Sequence, residues 1–207
     1  MFKKLFPRKT SSDKPHSIIV VSGLPRSGTS MMMKMLAEGG LEIVSDALRV
    51  ADDDNPNGYF EFEPVKQLAE GNLRWLKDAG GRAVKIISSL LEYLPNEHQY
   101  KIIFMKRELQ EVLASQQKML KNRMEQSQVE DEAMRTRFEE HLSDIKYWLA
   151  RQPNMEVLYI SYNKMLNDPE SDCARVAEFI GMPLDVKKMA SVPSRNLYRN
   201  RTGKNQA

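Results

Sequence analysis

Cysteine is nearly absent from the 207-residue chain, where Cys173 stands alone. That excludes an intramolecular disulfide and any metal cluster built on several thiolates. Long apolar runs are also missing. The run over residues 18–21, Ile-Ile-Val-Val, falls far short of the about 20 residues that span a bilayer. Residues 1–14 are basic but hold no continuous apolar stretch, so they do not read as a signal peptide. Neither sign of charge dominates. The 31 basic residues against 28 acidic ones leave a net +3, which excludes the footprint of a dedicated nucleic-acid binder. Internal repeats and low-complexity tracts are lacking. These absences point to a soluble protein of a reducing compartment, expected in the cytoplasm, with no membrane span.

What is present suffices for a core. Hydrophobic residues make up 41% and charged residues 29%, a composition too apolar for a disordered chain. The length suits one domain. Charge gathers at the ends. Residues 1–15 hold five basic side chains against one acid, residues 186–207 hold six and no acid, and residues 16–185 carry −7. The chain thus divides into a basic N-terminus over 1–16, a folded domain over 17–185 and a basic tail over 186–207.

Residues 17–22 read Ser-Ile-Ile-Val-Val-Ser, without polar alternation, as in a strand buried on both faces. A turn follows at 23–29, then a helix over 30–38 that Gly39-Gly40 stops. Strand-length apolar runs recur at 41–44, 83–87, 101–105 and 156–160. Helices are expected over 63–77, 108–120 and 169–180. A capping-box spacing at Ser127–Glu130 precedes a long amphipathic helix through Met134, Phe138, Leu142, Ile145 and Leu149. Strands alternating with helices predict an α/β fold with a central parallel sheet. Ligands in such sheets bind beyond the carboxyl ends of the strands. The chemistry is therefore expected just after Ser22, Ile87, Met105 and Ile160.

Gly23-Leu24-Pro25-Arg26-Ser27-Gly28-Thr29-Ser30 joins the first strand to the first helix. Its glycine spacing suits a curled backbone whose N–H groups, with the helix N-terminus, cradle an anion. The spacing is that of a nucleotide P-loop, except that Thr29 stands where the lysine bridging the β- and γ-phosphates would be. The cation sits inside the turn instead, at Arg26.

Pro25-Arg26-Ser27-Gly28-Thr29-Ser30 resembles the 5′-phosphosulfate loop of sulfotransferases that use 3′-phosphoadenosine 5′-phosphosulfate (PAPS). Two later segments match in order. Ile102 to Arg107, with Ser115 eight residues on, resembles the family's 3′-phosphate segment. Val157 to Tyr162, followed by Leu166-Asn167-Asp168-Pro169 and Phe179-Ile180-Gly181, resembles its strand–Tyr–Asp-Pro–helix segment, in which the tyrosine approaches the adenine. The resemblance implies a P-loop NTPase-like three-layer α/β sandwich. It also implies sulfuryl transfer from PAPS to a hydroxyl or amine, with no metal. Pro25, Arg26, Ser27, Gly28, Thr29, Ser30, Arg107, Ser115 and Tyr162 would hold the nucleotide, and Arg26 would neutralise charge on the bridging oxygen. The acceptor is expected to be a small molecule, a glycan or a peptide. A C-terminal basic loop in many relatives extends the expectation to Arg195, Arg199 and Arg201.

Two positions depart from the family pattern. Met31 replaces an aromatic that flanks the adenine, and Lys85-Ile86-Ile87 replaces Lys-Thr-His, which removes the usual histidine base. His98 precedes a strand, and His141 reads as solvated on a charged helix. Residues 55–63 resemble the Asn-Pro-x-Gly-aromatic-aromatic-Glu stretch of bacterial relatives, so Glu61, and after it Glu63, are the expected bases. Tyr59, Phe60, Phe62 and Trp75 could line an apolar acceptor pocket. Two alternatives stand beside this reading: a P-loop kinase-like phosphotransferase, against which Thr29 argues, and a non-catalytic nucleotide-binding protein on the same fold, which the missing histidine would suit.

Overall fold

The computed structural model describes residues 16–46, 58, 60–122 and 131–193. Outside them lie the N-terminal basic stretch, the acidic turn at 52–54, Tyr59, the capping box at 127–130 and Arg195, Arg199 and Arg201.

Five parallel strands form one sheet in the order β2-β3-β1-β4-β5: β1 Ile18–Gly23, β2 Ile43–Val44, β3 Ala83–Lys85, β4 Tyr100–Lys106 and β5 Met155–Ser161. The helices are α1 Thr29–Glu38, α2 Glu63–Lys66, α3 Leu109–Asn122, α4 Asp131–Leu149, α5 Tyr162–Asn167, α6 Pro169–Ile180 and α7 Val186–Ala190. β1 is central because it is apolar on both sides. Ile19 and Val21 enter a core with α1, α5, α6 and α7, whereas Ile18 and Val20 enter a second core with α4. All six β1 residues are buried, so the absence of polar alternation follows from coverage on both faces. The register pairs Val21 with Lys85 and with Ile103, and Gly23 with Met105. It sets the ends of β1, β3 and β4 side by side, where the β1–α1 turn begins.

Three expectations need correction. The helix over 63–77 is broken into α2 and short 3-10 turns at Leu68–Glu70 and Arg74–Asp78. Gly71 takes φ 83, and Asn72 bonds back to Gln67 through both its backbone N–H and its side-chain amide (3.1 and 2.7 Å), which competes with helical pairing. The tail does not begin at residue 186. Residues 186–190 form α7, and fully buried Met189 lies where a Cβ on Gly39 would stand 2.6 Å from its Cγ. The absence of a side chain at Gly39 therefore lets α7 dock on the end of α1. The expected aromatic pocket also divides. Phe62 and Trp75 pack edge-to-face, 5.4 Å between centroids, on the α4 side of the sheet, and Phe60 packs on the α1 side.

Cys173 is buried among Val176 and Ile180, and desolvation pushes its thiol up to about 12, which leaves it a packing residue.

Candidate functional site

The β1–α1 turn takes backbone conformations that its sequence was chosen for. Gly23 and Gly28 have φ 145 and φ 100. A Cβ on Gly23 would stand 2.5 Å from Ser27 Oγ, and one on Gly28 would stand 2.4 Å from Cδ2 of Tyr162. Gly28 is also the N-cap of α1, whose first turn has no side-chain cap. Arg26 adopts φ 70, a region that side-chain-bearing residues visit rarely. Ser27 Oγ is buried without a hydrogen-bond partner among the described residues. Because Tyr162 is itself buried and cannot retreat, Gly28→Ala is expected to destabilise the fold by roughly 1–3 kcal/mol. Urea denaturation of the purified variant measures this, and an unchanged midpoint would show that the turn yields.

The expected contacts converge on this turn from distant parts of the chain. Arg26 Nε donates to Ser115 Oγ at 3.0 Å, and Arg107 Nη1 donates to the Arg26 carbonyl at 3.0 Å. Arg107 leaves the end of β4, and Ser115 lies two turns into α3. The Arg107 guanidinium also stacks over Tyr162, 4.4 Å from the ring centroid, and pairs with Glu111 Oε2 at 3.0 Å. Burial pushes the Tyr162 phenol up, so it stays neutral and can donate a hydrogen bond. Glu111 is fully buried as a side chain and accepts a further bond from Asn163 Nδ2 at 3.1 Å. Arg107 is therefore a strut as well as a cation, since it fixes the turn's backbone from below while held in plane by Glu111 and Tyr162.

Two participants were not anticipated from sequence. Glu111 was hidden because a glutamate in the first turn of a helix reads as solvated. Lys85 Nζ reaches Ser30 Oγ at 3.5 Å, from the last position of β3 to the first turn of α1. A second cation thus stands at the helix start, delivered from the neighbouring strand rather than from Thr29. The signal was a single lysine inside the apolar run 83–87.

The two expected bases lie together beside Lys66. Glu61 Oε2 is 4.0 Å and Glu63 Oε2 is 2.9 Å from Lys66 Nζ, and the Glu61 carbonyl accepts from Ser45 Oγ and the Asp46 N–H. Glu63 is exposed at the start of α2. His141, by contrast, is not a solvated histidine. It is half-buried, and its Nε2 lies 2.8 Å from Ser88 Oγ.

The chain matches the family model described as sulfotransferase domain over residues 16–202. Among solved structures it is similar to mouse sulfotransferase SULT7A1 complexed with PAP, at 19% identity and TM-score 0.55, covering 92% of this chain and 68% of that one. It is also similar to the sulfotransferase domain of the Synechococcus PCC 7002 olefin synthase, at 14% identity and TM-score 0.50, covering 96% and 88% of the two chains. The sulfotransferase domain from the curacin biosynthetic pathway aligns at 16% identity and TM-score 0.50, covering 84% and 76%. At these identities the structural likenesses speak to the α/β fold. No curated protein sequence matches the chain.

Proposed function

Because the chain belongs to the sulfotransferase domain family, we propose that it transfers a sulfuryl group from PAPS to a hydroxyl or amine, releasing 3′-phosphoadenosine 5′-phosphate (PAP). The observation that supports this most is the interlock of Arg26, Ser115 and Arg107 at the carboxyl ends of β1 and β4. It joins the two segments that the resemblance assigns to the two phosphate ends of one nucleotide.

The residues fit such a ligand. Gly23 and Gly28 let the backbone curl at two positions where a Cβ would clash, and the start of α1, which has no side-chain cap, points N–H groups toward the turn. The donor, when bound, supplies an activated sulfur–oxygen bond with a phosphate leaving group. Pro25, Arg26, Ser27, Gly28, Thr29 and Ser30 would hold its phosphosulfate, and Arg107 and Ser115 its 3′-phosphate. Tyr162 would stand toward the base, and Arg199 and Arg201 complete the proposed set. Arg26 and Lys85 would then set two positive charges beside the proposed phosphosulfate, where preorganised charge lowers a barrier. The leaving phosphate needs no proton, so an arginine serves there. The scheme needs no metal. Glu61 and Glu63 are the carboxylates proposed from sequence to accept the acceptor's proton.

A small molecule, a glycan or a peptide is the proposed acceptor, and the cytoplasm the proposed location. Among the described residues no helix is long and apolar enough to cross a membrane.

Thermal denaturation tests the donor reading. PAP at about 100 times its Kd is expected to add about 2.7 kcal/mol without metal, roughly 5–10 °C in Tm for a domain of this size. A shift with Mg-ATP and none with PAP would overturn it in favour of a kinase.

A further inference from the structure

A cavity of about 240 Å³ lies beside the β1–α1 turn. Leu24 and Ser27 of the turn form part of its wall, so whatever fills it lies against the segment proposed to hold the phosphosulfate. Ser27 is 1% exposed, and its hydroxyl has no hydrogen-bond partner among the described residues. Phe104 of β4 and Tyr159 of β5 supply aromatic walls, their ring centroids 5.6 Å apart and the planes tilted by 53°. Burial pushes the Tyr159 phenol up, so it adds no negative charge. Val112 of α3 and Leu142 of α4 complete the apolar lining.

The charge at this cavity has one sign. Lys106, Arg107 and Lys146 line it, and no aspartate or glutamate does. Arg107 is already paired with Glu111. Neither lysine's ammonium group has a hydrogen bond or ion pair among the described residues. Exposure sorts the lining. Lys106 and Lys146 are exposed, whereas Leu24, Ser27, Phe104 and Val112 are buried. The two free cations therefore stand at the mouth, with the apolar walls and the turn further in. Size narrows the occupant. A cavity of about 150 Å³ holds benzene, and pockets for drug-sized ligands run to about 300–1,000 Å³. This space suits a molecule of one or two rings.

Resting on the sulfotransferase reading, we propose that this cavity is the acceptor's site and that it selects small aromatic hydroxy acids. The rings lie against Phe104, Tyr159 and Leu142. The anionic group meets Lys106 and Lys146 at the mouth, and the hydroxyl at the far end of the ring system enters toward the turn. A neutral phenol gains the same apolar burial but leaves both ammonium groups unpaired. In the transfer, the hydroxyl oxygen bonds to sulfur and the bond from sulfur to the 5′-phosphate oxygen breaks. The electron pair of that bond stays on PAP, and the hydroxyl proton ends in the buffer.

Two matched probes test this, 6-hydroxy-2-naphthoate and neutral 2-naphthol. With labelled PAPS at low salt, kcat/KM for the acid is expected to exceed that for 2-naphthol by about 10-fold, the scale of two partly exposed ion pairs together. The preference should shrink as ionic strength rises. The double variant Lys106→Met with Lys146→Met should bring the ratio of the two probes near one. Fluorescence titration of the acid reads binding apart from turnover. The acid should bind protein saturated with PAP as well as it binds free protein. Leu142→Trp, which fills the cavity, should abolish that binding while PAP affinity holds. Lys146→Glu, a surface change, should weaken it about 10-fold or more, and it serves if Leu142→Trp fails to fold. Competition between PAP and the acid would make the cavity part of the nucleotide's own site and overturn the assignment. Equal use of both probes by the wild type would overturn the charge preference, and acid that binds beside PAP yet receives no sulfate would overturn the acceptor role. Failure to bind PAP at all would instead remove the donor reading beneath it, and the acceptor role with it.

Discussion

Arg26→Ala is expected to slow single-turnover sulfuryl transfer by roughly 10²–10³, about 3–4 kcal/mol of barrier, the scale set by removing one preorganised donor from a developing anion. The turn should survive the change. Arg107 holds the Arg26 carbonyl, not its side chain, so the strut from β4 remains. The guanidinium's Nε bonds to Ser115 Oγ, and Ser115 sits in a separately packed helix. Arg26→Gly sharpens the point. At φ 70 a glycine relieves a conformation that costs a side-chain-bearing residue of order 1–3 kcal/mol. That variant should be as slow as alanine while melting no lower than wild type. Such a residue would be kept for charge at the expense of the backbone. Rapid-quench transfer and thermal denaturation on the same samples decide it. Normal turnover in either variant removes Arg26 from the chemistry.

Some of this site was legible in the chain because local patterns determine it. The strand over 17–22 and the turn after it are consecutive, and both read correctly from hydrophobic continuity and glycine placement. Arg107 and Ser115 are separated by eight residues on a strand end and the next helix, the spacing by which the family resemblance singled them out. The parts that escaped depend on packing between distant segments. Lys85 reads as one lysine inside the apolar run 83–87 until the sheet order places β3 beside β1. Glu111 reads as a solvated first-turn carboxylate until Arg107 and Asn163 enclose it. His141 belongs to a helix of charged composition, and only the docking of α4 against residues 88–93 buries one ring nitrogen. The misread helix over 63–77 has the opposite cause. Its apolar spacing is helical, but Gly71 and Asn72 break it locally, and the residues beyond still find the core through Leu76. Periodicity reports which side chains go inside, and the backbone route to that result is decided by turn chemistry.

Arg107 carries two roles that one substitution cannot separate. Its side chain is 8% exposed and that of Glu111 is 0% exposed, so Arg107→Met leaves a buried carboxylate without its cation. Removing one member of a buried pair typically costs about 3–5 kcal/mol, so this variant should melt well below wild type. Its PAP affinity should fall as well, by about 1.5–3 kcal/mol for a lost bond to a charged group. Low affinity in a half-unfolded sample would prove nothing about phosphate binding. The double variant Arg107→Met with Glu111→Gln resolves this, because a neutral amide replaces the stranded charge and Asn163 can still bond to its oxygen. Most of the lost stability should return, since a buried ion pair exchanged for neutral groups of similar size is often tolerated. PAP binding should not return, because the guanidinium that reaches the turn's backbone is gone. Calorimetric titration of PAP into the refolded double variant reads the outcome. Affinity equal to wild type there would make Arg107 a strut alone and send the search for the 3′-phosphate partner elsewhere in the cluster, whereas stability restored without affinity identifies the guanidinium as the ligand's own contact.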